Sequence, residues 1–402
     1  MKNWKKNIFL FMFGQGLTLM GSMIVHYAIL WDITLKTGSG MMMMLIAVLG
    51  AIPMFFISPF GGIWADRYNK KHLINISDGI IALVTLILAL TFFVGYQQMG
   101  LLLICVAIRS LGGGVQMPAV NSLIPELVPK DKLIRINGIK GSIQSLTMLI
   151  SPMLAGALLF FIPIQAILFI DVITAAIGIS ILYFFVKVDF KPKKEKLSYF
   201  QDLKKGFSYV KKNNFIKKFI ILAAIFNIMV APMALLTPLQ VTRNFGADVW
   251  RLTTLQTTFA IGMMLGGLII AVWGGFKNKI HTLALATIMT GIGIVTLGIL
   301  NNFWLYIACM GITGIVAAIF NAPLMTILQI NIKEIFMGRV LSILTMVNSV
   351  AMPIGMLIWG PLSDIVNIDW LLIGTGFIIF LLSFIFFFDK TFLKAGIKIK
   401  RT

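Results

Sequence analysis

The chain has 402 residues, of which 59% are hydrophobic and only 12% charged, about half the charged share of a soluble domain. That apolar fraction fills about a dozen spans of ~20 residues each across a ~30 Å hydrocarbon slab. It excludes a soluble two-domain protein and, because the runs do not alternate, an outer-membrane barrel.

Apolar runs bounded by charge, Gly, Pro or Asn fall at 8–30, 41–63, 73–95, 101–121, 137–161, 166–187, 217–241, 250–274, 281–300, 303–327, 340–365 and 370–389. These predict an all-α membrane protein with twelve transmembrane helices. The first run is too long for a signal-peptide core and has no small-x-small cleavage site, so it reads as a retained helix. An even number of spans puts both termini on one side. With the amino terminus inside, 30 of the 34 Lys and Arg lie in cytoplasmic segments, as the positive-inside rule requires. Lys36, Arg243 and Arg251 fall outside, and Arg109 falls within a span. The net charge of +20 is thereby a topology signal, aided by anionic inner-leaflet lipid, and nucleic acid is not needed to explain it. Cys105, Cys309, His26, His72 and His281 are scattered. They form no disulfide framework and no metal-ligand cluster, so neither a metal nor a cofactor is expected.

The longest polar stretch lies midway. After Pro192, Leu197, Phe200, Leu203, Phe207 and Val210 recur every three or four residues, with Lys204, Lys205, Lys211 and Lys212 on other faces. That pattern predicts an amphipathic helix on the inner membrane surface. It divides the chain into a six-helix bundle at 1–187, a linker at 188–216 and a second six-helix bundle at 217–402. Gly61-Gly62 ahead of a basic run is echoed by Gly274-Gly275, and Ser151-Pro152 by Met352-Pro353. Two pseudo-symmetric halves (6+6) describe a large transporter architecture with its substrate site between them.

Gly62-Ile-Trp-Ala-Asp66-Arg67-Tyr-Asn69-Lys70-Lys71 resembles the loop signature of the major facilitator superfamily, with Asn69 where many members carry glycine. Arg109-Ser-Leu-Gly-Gly113-Gly114 resembles the span-four motif, and Ser151-Pro152-Met-Leu-Ala155-Gly156 a degraded antiporter motif. Leu35-Lys-Thr37-Gly38-Ser39, Pro118 to Pro129 and Phe169-Ile-Asp171 are similar to the branch containing bacterial macrolide efflux proteins. The resemblance implies a cytoplasmic gate formed by Gly62, Asp66, Arg67, Lys70, Glu126 and Arg339. An exposed loop salt bridge is the plainer reading of Asp66.

Ionisable groups inside a bilayer cost at least ~2.5–3.5 kcal/mol on insertion scales, so each is a functional hypothesis. Asp32, Arg109 and Asp171 fall in the outer part of the first bundle and are the candidates for proton coupling. Against this, Asp171 also reads as a helix N-terminal cap or packing pair, Asp32 as a water-facing group, and Asp78 as an anchor near the inner surface. The second half offers no mid-membrane acid. Neutral polar groups, Gln15, His26, Gln116, Gln144, Asn227, Asn321 and Asn348, are the candidates for substrate binding, among 24 Met and 32 Phe. Such walls suit bulky amphipathic ligands better than sugars or phosphates.

The expected function is a proton antiporter exporting hydrophobic, macrolide-like drugs by alternating access, with a lipid or siderophore-like metabolite as the alternative passenger. No convergent catalytic set is visible, so an enzyme is not expected. The expected partners are a small hydrophobic substrate, protons and the lipid bilayer. The expected setting is the bacterial cytoplasmic membrane, with the chain acting as a monomer and both termini inside.

Overall fold

A computed structural model describes residues 4–186, 207–332 and 334–395. Twelve helices among them are long and apolar enough to cross a membrane. They are α1 (Trp4–Thr37), α2 (Gly40–Arg67), α3 (Lys70–Phe93), α4 (Met99–Leu127), α5 (Leu133–Phe161), α6 (Ile164–Ser180), α7 (Asn214–Asn244), α8 (Val249–Trp273), α9 (Lys279–Ile299), α10 (Phe303–Asn331), α11 (Glu334–Ile365) and α12 (Ile368–Phe388). A π-helical turn, Ile181–Phe185, prolongs α6, and a short α13 (Lys390–Ala395) follows α12. Most of the predicted amphipathic linker lies outside the described residues; its described part is helical at 207–212.

Most helices begin before their apolar runs, because polar residues continue the spiral at the amino-terminal end. At 34 residues, α1 is roughly 50 Å long. Asparagine sets many of the starts. Asn69, Asn213, Asn278, Asn302 and Asn367 each accept a backbone N–H from the first turn of α3, α7, α9, α10 and α12, as N-caps do. Asn69 is thus the cap of α3 at the position where the superfamily motif often has glycine. The predicted echo between Gly61-Gly62 and Gly274-Gly275 differs in geometry. Gly61 and Gly62 lie inside α2, whereas Gly274 (φ 69°) and Gly275 (φ 76°) form the left-handed stop of α8.

The chain divides into two compact units, 1–36 with 45–197, and 37–44 with 198–402. In the first unit α2 crosses α4 where a Cβ on Gly61 would meet Gly114 O at 2.6 Å and Val115 Cα at 2.9 Å. In the second, α9 crosses α12 at Gly291 and Gly376, each of which would meet the other's carbonyl oxygen at 2.8 Å. Small residues at crossings are the usual device for helix association in lipid.

Residues 37–44 are packed into the second unit by one carboxylate. Asp364, at the end of α11, accepts the Gly40 and Met41 N–H groups at 2.7 and 2.9 Å and the Ser39 hydroxyl at 2.8 Å. It is therefore an N-cap for α2 supplied from another helix. Arg243 on α7 donates to Asp364 at 2.8 Å and to the carbonyls of Ser363 and Gly38 at 2.6 and 2.7 Å. Asp364→Ala removes the carboxylate that accepts from Ser39, Gly40, Met41 and Arg243. It is expected to destabilise the protein by about 2 kcal/mol, the scale of a charged hydrogen-bonding group, read as a lower melting temperature in detergent.

Past the last span, the Asp389 carboxyl is lowered to about 2, chiefly by the hydrogen bond from Lys218 at 2.5 Å. A lowered carboxyl stabilises the fold above its ordinary range and loses that contribution as pH falls toward about 2.

Candidate functional site

The first unit contains a cavity of about 230 Å³ whose polar lining comes from three helices. α1 contributes Thr18, Ser22 and His26, each one turn beyond the last. α3 contributes Asp78, and α4 contributes Arg109, Ser110, Gly113 and Gln116. Spacings of three and four place each set on one helix face. Leu19, Met23, Ile29, Ile46, Ile81 and Val106 supply the apolar wall.

An ion pair lies at the cavity's edge. The Arg109 guanidinium donates to Asp171 Oδ2, and the two side chains are 12% and 0% exposed. The same guanidinium donates to the Thr85 hydroxyl at 2.6 Å and to the Ser22 hydroxyl at 3.2 Å. Ser22 in turn donates to Asp171 Oδ1 at 2.8 Å. Each carboxylate oxygen therefore has a donor, as a charge withdrawn from water needs. Asp171 lies within α6, two turns past the cap residue Pro163, so it is no N-cap but the partner of Arg109.

Asp78 corrects a second expectation. It is eight residues into α3, which begins at Lys70, or about 12 Å up the helix. It is 2% exposed and lines the cavity instead of anchoring the inner surface. Gln116 Nε2 donates to its Oδ1 at 2.7 Å, while Oδ2 is buried without a hydrogen bond. Gln15 lies 3.5 Å from Gln116 and beside the same carboxyl. One turn below, the Asn75 amide is also buried without a partner.

Asp32 pairs with Lys36 on its own helix at 2.9 Å, and so does not join Arg109 and Asp171. His26 opens into the cavity. Gln144 is exposed on α5, apart from the cavity lining. Asn227 donates to Asn348 at 3.2 Å across α7 and α11, whereas the exposed Asn321 returns its amide to Ala317 of its own helix. Lys70, buried, donates to Glu126 at 2.7 Å. Asp66 and Arg67 are exposed and make no ion pair among the described residues. Gly62 has open space around it, and the Arg339 guanidinium lies over the Phe336 ring in the second unit. Sequence reasoning missed Ser22 and Thr85 altogether. The four-residue spacing of Thr18, Ser22 and His26 was the available signal for Ser22.

Twelve helices among the described residues are long and apolar enough to cross a membrane, and one bundle buries a charged pair. A sequence model of the Major Facilitator Superfamily matches residues 11–356 and again 233–399. The chain belongs to that superfamily. It is 27% identical to macrolide efflux protein A of Streptococcus pyogenes over 383 residues, 94% of each chain. It is 21% identical to the staphyloferrin A transporter of Staphylococcus aureus, across 95% of this chain and 96% of that one. Among solved structures, a POT family transporter in complex with 5-aminolevulinic acid superposes with a TM-score of 0.75 at 14% identity, over 95% of both chains. As a member of this superfamily the chain is a multi-pass membrane transporter with two six-helix halves.

Proposed function

We propose that the protein exports hydrophobic or amphipathic drugs, macrolide-like in class, in exchange for protons. The buried Arg109–Asp171 pair at the edge of a polar-lined cavity carries this reading. A bilayer protein keeps such a pair only where it is held by packing or put to use, and the similarity to a macrolide efflux protein over 94% of the chain supports the class of passenger. The second unit places its described acids Asp248, Glu334, Asp364, Asp369 and Asp389 at helix ends. Proton coupling is therefore assigned to the first half. Export proceeds by rocking the halves in alternating access, in the bacterial cytoplasmic membrane, by a monomer with both termini inside. The cytoplasmic gate is assigned to Gly62, Asp66, Arg67, Lys70, Glu126 and Arg339.

A pump-deficient bacterium expressing the protein is challenged with macrolides, tetracyclines and lipophilic cations. Raised resistance and lowered accumulation of macrolides are the expected results. Unchanged accumulation of every compound would overturn the drug reading and leave a metabolite as the passenger.

A further inference from the structure

Within the Arg109–Asp171 pair the two charges are already matched to each other. Every oxygen of Asp171 is engaged, by Arg109, Ser22 or Thr85. Asp78 differs. It makes no ion pair among the described residues, since Arg109 is committed to Asp171; Gln15 on α1 and Gln116 on α4 beside it carry no charge, and the one other charge acting on it, Asp171 on α6, is negative. One of its oxygens is unpartnered, and it lines the cavity. A carboxylate so buried is tolerated only when it is neutralised, either by a proton or by a cation.

We propose that Asp78 is the exchange group of the transporter, taking in turn a proton and the cationic head of a lipophilic amine. This deepens the proton-antiport reading and rests on it. In one state Asp78 is the neutral acid, with the proton on Oδ2. In the other, the O–H bond breaks, the proton leaves to water, and the substrate's cation takes its place beside the carboxylate. The two occupants exclude each other because only one positive charge balances the cavity. Asp171 and Arg109 cancel, and the glutamine amides serve either form. The unpartnered Asn75 amide three residues below continues the polar face of α3 toward the inner end, the direction from which a cytoplasmic passenger arrives.

The test is binding of tetraphenylphosphonium, a permanent lipophilic cation, to the purified full-length protein in detergent between pH 5 and 9. Wild-type affinity is expected to fall as pH is lowered, approaching tenfold per unit (about one proton per site). Asp78→Asn is expected to bind about tenfold or more weakly and without pH dependence, the neutral amide leaving no charge to share. Asp78→Glu, which keeps the charge, restores the slope and shows that the site still folds. Wild-type binding that ignores pH, or an Asp78→Asn variant with wild-type affinity and slope, overturns the assignment. Failure of the antiport reading itself shows elsewhere, as wild-type liposomes in which no amphipathic compound drives proton movement.

Discussion

Arg109→Ala is expected to abolish efflux and to lower stability strongly. It leaves the fully buried Asp171 carboxylate with two hydroxyl groups in place of a guanidinium. Removing one partner of a buried pair costs about 3–5 kcal/mol, because the survivor's charge is uncompensated. Asp171→Asn is expected to abolish efflux as well, at a smaller cost, since the Arg109 side chain remains 12% exposed and retains Ser22 and Thr85. The pairing predicts a non-additive result. Arg109→Gln combined with Asp171→Asn removes both charges and is expected to melt above Arg109→Ala while still failing to transport. Melting temperature in detergent and drug accumulation in cells read the two effects separately. A double variant that pumps normally would show that the pair only holds helices together.

The glycines supply the second large effect, with opposite outcomes at adjacent positions. Gly61→Leu and Gly114→Leu each push a side chain into backbone. Around Gly114 the obstacles include Met54 O at 2.9 Å and Met54 Cα at 3.2 Å, which cannot swing aside as a side-chain tip can. Overpacking a fitted crossing costs about 1–3 kcal/mol, and more where the backbone must part. Both variants are therefore expected to lose most of their folded yield. Gly62 and Gly113, beside them in sequence, have nothing within 4 Å of where a methyl group would stand, so Gly62→Ala and Gly113→Ala are expected to fold as the wild type does. Gel-filtration profiles of the four membrane extracts decide the matter. Equal behaviour within either doublet would contradict the crossing geometry.

These residues also mark where sequence reading succeeds and stops. All twelve spans follow from hydrophobic length, because hydrocarbon demands it wherever a helix crosses. Their ends are less legible: the Asn caps and the outer turns are polar, so the apolar runs begin several residues late. That shift misplaces Asp78. Counted from an apolar start at 73 it looks shallow, whereas α3 begins at Lys70. Arg109 and Asp171 stand out because charge is rare within spans, but composition cannot pair Arg109 with Asp171 and leave Asp32 to Lys36. That choice depends on how α1, α4 and α6 face one another, which no single-helix pattern encodes. The glycine doublets are legible as packing signals, but which member of each faces a neighbour is a matter of helix phase.

The central claim is that protons move through the charged core of the first bundle in exchange for an amphipathic passenger. Its most direct measurement uses proteoliposomes of the purified protein loaded with a pH-sensitive dye, given an imposed pH gradient and then a macrolide. Addition of the drug is expected to collapse the gradient in wild-type vesicles, and to leave it standing in vesicles of Asp171→Asn or Arg109→Ala at equal protein content. A gradient that no amphipathic drug disturbs in the wild type, or one that collapses equally in all three, would contradict the account.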